Sequence, residues 1–145
     1  VAWNRSPAPS PAHQALLLAL GSQLEQALRG KGCRPLLAPV DVRLPEPGEG
    51  EDQVRTVVQP DLLVVCDGRK IDRWGVLGAP DFVIEILSPG SAARDQIEKV
   101  AIYERHGVEE YGVVHPTDRV VVIRSRVGKG EGPFAVPRFL EGKGR

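Results

Sequence analysis

Residues 78–91 read GAPDFVIEILSPGS, and the apolar run inside them, Phe82-Val83-Ile84-Glu85-Ile86-Leu87, decides the fold. Such a short, nearly continuous apolar run between Pro80-Asp81 and Ser88-Pro89-Gly90 is the signature of a strand buried on both faces. We therefore expect a strand over 80–89. Ser91 then caps a helix that runs to Gly107. Upstream, TVVQPDLLVVC at 56–66 is β-branched and apolar with one proline, and its run over 62–66 reads as a second strand of the same kind. About fourteen residues rich in Gly, Asp and Arg connect the two and read as a loop.

Outward from this centre, Leu16, Leu20, Leu24, Ala27 and Leu28 recur at helical spacing, which predicts a helix over 11–29 that ends at Gly30-Lys31-Gly32. Leu36, Val40, Val42 and Leu44 lie in a proline-punctuated extended stretch suited to a first or a bent edge strand. Residues 45–52 form a loop. Downstream, Glu110–His115 and Arg119–Ser125 predict two further strands joined by Pro116-Thr117-Asp118, with the apolar 120–123 segment placed at a sheet edge. Residues 126–145, with five glycines and two prolines, read as a loop-like tail. Alternating strands and helices in a chain of 145 residues imply one α/β (α+β) domain spanning 1–145.

Composition narrows the function classes. The chain is 41% hydrophobic and 26% charged, as ordinary globular proteins are, and its nineteen basic residues balance nineteen acidic ones. No global positive field draws it to nucleic acid, so any such surface is local. The run Ala15–Leu20 is too short for a membrane span and lacks the basic flank of an export signal. Cys33 and Cys66, distant in sequence and each in an apolar setting, read as buried free thiols, which places the protein in a reducing cytoplasm. The chain has no methionine, even at position 1, so it is expected to lack an N-terminal segment of the translated product. No G-x-S-x-G, phosphate loop or dinucleotide fingerprint is present. Arg124, Arg126 and Lys129 form a short basic stretch expected at the solvated surface.

Chemistry is concentrated on the two central strands. Each carries one carboxylate in an otherwise apolar setting, Asp61 before Leu62-Leu63-Val64-Val65 and Glu85 amid Val83-Ile84 and Ile86-Leu87. A buried carboxylate without a cation or hydrogen-bond partners costs several kcal/mol, so two on neighbouring strands call for a reason. Asp81 and Glu85 stand roughly 13 Å apart along one strand, whereas residues opposite each other on paired strands are about 5 Å apart, so Asp61 and Glu85 are the pair able to share an ion. Mg²⁺ accepts one or two carboxylates, a backbone carbonyl such as that of Ile86, and water. On the following helix Asp95, Lys99 and Tyr103 recur at i, i+4 and i+8 and share a face, with Ile97, Val100 and Ala101 packing on the opposite side.

Taken together, QPDLLVV at 59–65, GAPDFVIEILSPGS at 78–91, Asp95-x-x-x-Lys99-x-x-x-Tyr103 and GVEEYGVVHP at 107–116 resemble the Uma2 family, also called DUF820. That resemblance implies the restriction-endonuclease-like fold of the PD-(D/E)XK superfamily, a central mixed β-sheet flanked by helices. It also implies a metal-dependent nuclease acting on DNA with Mg²⁺ or Mn²⁺, and by analogy a homodimer. Pro60-Asp61 maps onto the superfamily's PD and Glu85-Ile86-Leu87 onto its (D/E)XK, with Leu87 in the place of the usual lysine. Lys99 on the next helix is the matching lysine. The implied catalytic residues are Asp61, Glu85 and Lys99, the implied metal ligands Asp61, Glu85 and Ile86, and His13, Gln59, Asp95 and Tyr103 are accessory. Gly112 and His115 depart from the family's YWxxDP stretch, and an upstream glutamate that can complete the family's metal site lies outside this chain.

Overall fold

The computed structural model describes residues 9–88, 93–128 and 132–142. Ser91, Pro89, Gly90 and Lys129, which the sequence assigned to a helix cap, a strand stop and a basic stretch, lie outside the described residues. The elements in order are α1 (Pro11–Leu28), β1 (Arg34–Leu37), β2 (Val42–Arg43), β3 (Val57–Val58), β4 (Leu62–Val65), β5 (Ile71–Asp72), β6 (Gly75–Leu77), β7 (Phe82–Ile86), α2 (Ala93–His106), β8 (Glu110–His115), β9 (Val120–Ser125) and β10 (Arg138–Glu141). Six strands form one mixed sheet in the order β1-β4-β7-β8-β9-β10. All its neighbours are antiparallel except β7 and β8, the parallel pair that α2 bridges. The mixed α+β architecture expected from the sequence is thus present.

The central strands owe their apolar runs to being covered on both faces. Side chains alternate across a strand, so odd positions such as Leu63, Val65, Val83, Tyr111 and Val113 enter one core with Tyr103 of α2. Even positions, Leu62, Val64, Ile84, Ile86 and Val114, enter a second core with Leu17 of α1. In α1 the fully buried stripe is His13, Leu17 and Gly21; the predicted Leu16, Leu20, Leu24 and Leu28 flank it, partly buried against the same core, and Ala27 is exposed. Gly21 is what lets α1 approach β1: a Cβ built there would stand 3.0 Å from the Leu37 side chain. On α2, Tyr103 is buried, but Ile97 and Ala101 are exposed, so this helix packs on one side and not on two.

Four expectations are corrected. The extended stretch 36–44 is split between two sheets: β1 belongs to the large one, while β2 joins a small sheet ordered β3-β2-β6-β5. The 67–79 connection is not a loop but carries the β5–β6 hairpin, whose strands of two and three residues are too short to show periodicity. The tail contributes β10, which pairs with β9 and takes the sheet edge that 120–123 was expected to hold. Arg126 is no surface charge. It is buried, donates to the carbonyls of Val108, Glu104 and Gly132, and lies over the Phe134 ring.

The cysteines are corrected as well. The antiparallel register Arg34↔Val65 places Cys33 opposite Cys66 one step beyond the ladder, and the two form a disulfide, with no free cysteine. Although distant along the chain, the two cysteines are brought together because β1 and β4 are neighbours in the sheet. The thiol argument for a reducing cytoplasm falls with it; among the described residues no helix is long and apolar enough to cross a membrane. Since the bridge closes a sequence separation of 33, reduction should cost about 3–4 kcal/mol of unfolding free energy by the chain-entropy argument. Denaturant titration with and without dithiothreitol checks this. Coincident midpoints, or two thiols titrating in the folded unreduced protein, would contradict it.

The end of α2 is fastened to the small sheet through Glu46, which accepts from Arg105 at 2.5 Å and Thr56 at 3.2 Å and lies 3.1 Å from His106 Nε2. The hydrogen bond from Arg105, with the nearby His106 and Arg105 charges, holds the Glu46 carboxyl down at about 2. A folded pKa below the unfolded one stabilises the fold above the unfolded value, and that contribution disappears as pH falls through the folded value. Glu46→Gln should therefore flatten the acid limb of stability between about pH 4.5 and 2, measured by thermal melts across that range. An acid limb identical to wild type would show that the fastening carries no stability.

Candidate active site

The register Leu62↔Ile84 between β4 and β7 puts Asp61 opposite Glu85, again one step past the ladder, so both carboxylates project from the same face at one end of the sheet. They line one cavity of about 430 Å³ together with His13, Gln59, Ile86, Asp95 and Lys99. Seven of the eight residues singled out from the sequence therefore meet in one place, and the eighth, Tyr103, touches the site from beneath. Asp81, the rival acid, is elsewhere: its carboxylate accepts from the Cys66 amide at 2.7 Å.

Each acid is held by specific partners. Asp61 Oδ2 accepts from the Ile86 amide at 2.7 Å and lies 3.4 Å from His13 Nε2. Within a strand the N–H and C=O of one residue point the same way, so the Ile86 carbonyl also faces the β4 side. Glu85 Oε2 accepts from Lys99 Nζ at 2.5 Å, and Glu85 Oε1 accepts from the Tyr103 hydroxyl at 3.2 Å. Burial pushes the Glu85 carboxyl above its ordinary value; Lys99 and the Tyr103 hydrogen bond oppose this, and the Asp61 charge adds to it. Burial, then the Glu85 charge, raises the Tyr103 hydroxyl, which stays a neutral donor. Its ring rests on Tyr111, 4.8 Å between centroids.

α2 delivers Lys99 because Tyr103, one turn on, anchors in the core, which turns the same helical face toward β7. Asp95, one turn earlier, is exposed at the cavity rim. Gln59 is not free to swing, since its amide donates to Asp41 at 2.7 Å. Sequence reasoning missed Asp41, which braces Gln59, and also Tyr111, Ser10 and Gln96, which line the cavity too. Tyr111 was legible in principle as an inward position of β8; Asp41 carried no signal. Among the described residues no group of three or more His, Cys, Asp and Glu side chains forms a metal cage. Two carboxylates and an adjacent carbonyl are nonetheless the oxygen donors a hard cation takes alongside water, so this donor set fits one.

A family model described as "Putative restriction endonuclease" matches residues 2–137. The chain belongs to the Uma2 family. Among solved structures, this Uma2 chain is similar to the crystal structure of "a putative nuclease belonging to DUF820" from Anabaena variabilis ATCC 29413. The TM-score is 0.71 at 19% sequence identity, and the match covers 96% of this chain and 72% of that one. At that identity the likeness speaks for the fold alone, which is restriction-endonuclease-like. No curated protein matches the sequence. Leu87 is half-buried and lines the cavity as an apolar wall. A Cβ at Gly112 would stand 3.7 Å from both Ile84 and Phe82, an ordinary contact distance.

Proposed function

We propose that this Uma2 protein is a Mg²⁺- or Mn²⁺-dependent nuclease that hydrolyses phosphodiester bonds in DNA. The observation that carries the reading is the Asp61/Glu85 pair facing one cavity with the Lys99 amine 2.5 Å from Glu85. Asp61, Glu85 and the Ile86 carbonyl would hold the cation. When bound, it supplies Lewis-acid polarisation of the phosphate and a water of lowered pKa. The chain's own groups do the rest. The Ile86 amide and His13 fix the orientation of Asp61, while Tyr103 fixes Glu85 from below. Lys99, with 39% of its side chain exposed, reaches both Glu85 and the open cavity. There its charge would orient an attacking water and stabilise the negative charge developing on the phosphoryl oxygens. Gln59, braced by Asp41, positions the substrate at the rim.

The test is cleavage of plasmid or oligonucleotide DNA in Mg²⁺ or Mn²⁺, with Asp61→Ala and Lys99→Ala measured in parallel. Metal-dependent cutting that both variants lose is expected; equal cutting by all three would mark a contaminant and end the reading. A second reading, a non-catalytic module of the same fold, draws on the Lys99–Glu85 pair, which neutralises the buried carboxylate without any ion. In that case Lys99→Ala would weaken the fold and no metal-dependent cutting would exist to lose.

A further inference from the structure

The β5–β6 hairpin turns through Arg73-Trp74, and Trp74 stands 67% exposed at its tip. The tip is held in shape from three sides. Asp72 accepts from the Trp74 amide at 2.8 Å and from Arg43 at 2.5 Å. Gly75 has φ +130°, and a Cβ there would fall 2.3 Å from the Asp41 carbonyl oxygen, so glycine alone fits. The Arg73 guanidinium lies 5.0 Å from the indole centroid, and among the described residues it makes no ion pair. An isolated exposed apolar side chain is normal on a protein surface. An indole held rigidly beside a free guanidinium is a different object, a stacking plane with a phosphate partner attached.

Its place is what gives this meaning. Trp74 and Arg73 line a cavity of about 440 Å³ that has Gln59 and Asp41 in its wall. Gln59 also lines the Asp61/Glu85 cavity, so the two hollows adjoin across the Gln59–Asp41 hydrogen bond. Gln59 precedes Asp61 by two residues, roughly 7 Å along an extended chain. A strand that continues from the acidic cavity past Gln59 would reach the hairpin tip within a few nucleotides.

We infer that the Arg73-Trp74 tip is a base-stacking platform for an unpaired nucleotide, so that the protein engages single-stranded DNA beside the acidic cavity. The inference rests on the nucleic-acid part of the preceding reading and is independent of cleavage. Every base offers a π-face, so the platform grips without reading sequence, and stacked bases inside a duplex do not reach it.

The experiment uses the whole chain in EDTA, with Trp3, its other tryptophan, replaced by Phe so that Trp74 is the sole indole reporter. Single-stranded oligothymidylate should quench Trp74 saturably, and an oligothymidylate–oligoadenylate duplex should not. By fluorescence anisotropy Trp74→Ala should weaken single-strand affinity about 5- to 150-fold, with Trp74→Phe restoring most of it. Absent quenching, an affinity unchanged in Trp74→Ala, or equal binding of duplex would overturn the inference. So would self-association that Trp74→Ala abolishes without change in oligonucleotide affinity, which would make the tip a contact between copies. Saturable quenching in EDTA, with no cutting of the same oligonucleotide once Mg²⁺ or Mn²⁺ is supplied, upholds the platform and removes the nuclease reading. Cleavage with the same KM in Trp74→Ala does the reverse.

Discussion

Asp61→Asn should lower metal-dependent cleavage by about 10²- to 10³-fold, the usual effect of deleting one electrostatic group at a reacting centre, and should leave the fold standing. The two effects separate because Asp61 has two tasks. Its charge would hold the cation, whereas its Oδ2 also accepts the Ile86 amide at the end of β7. Asparagine keeps an acceptor for that amide and loses the charge. Alanine loses both, and an amide stranded without a partner costs about 1–3 kcal/mol, or a fall in Tm of roughly 3–10 °C for a domain of this size. Thermal melts and initial rates on the wild type, Asp61→Asn and Asp61→Ala check it. The two variants should be equally inactive and unequally stable. Asp61→Asn with near wild-type rates would remove Asp61 from the chemistry.

The largest effect on stability is expected at Arg126→Ala. The guanidinium donates to carbonyls of Val108 and Gly132 and to those of Tyr103 and Glu104 in the last turn of α2, the latter two also accepting from the Val108 and Gly107 amides. It thereby joins the end of α2, the start of β8 and the segment that leads into β10. Removing it takes this donor from the Val108 and Gly132 carbonyls at about 1–3 kcal/mol for each that water cannot reach, so a total loss of about 3 kcal/mol is expected. Urea titration measures it. Arg126→Lys should recover part of the loss, since one ammonium cannot reach all four carbonyls. A variant as stable as wild type would mean that these carbonyls find other donors.

Arg126 also shows where sequence reading stops. In a glycine-rich stretch between Arg124 and Lys129 it looked like solvated charge, because what buries it, Phe134 and the end of α2, lies on segments with no local link to it. Cys33 and Cys66 failed for the same reason: their pairing is a property of the β1–β4 register and not of either neighbourhood. The β5–β6 hairpin was invisible because two- and three-residue strands carry no period and Arg73-Trp74 lacks the usual turn residues. Long, doubly covered strands are the opposite case. β4 and β7 announced themselves by apolar runs, and a carboxylate within such a run is conspicuous because burial there is costly. That is why Asp61 and Glu85 could be singled out from residue environment and strand geometry. Lys99 needed the resemblance to the family, since its helical spacing fits a surface lysine equally well.

The central claim is that Asp61 and Glu85 together hold one divalent cation. Calorimetric titration of Mn²⁺ into the folded chain tests it most directly. A saturable heat at one ion per chain is predicted, removed by Asp61→Asn and by Glu85→Gln alike. A folded wild-type protein that gives no such heat, or gives one that both variants retain, would contradict the claim.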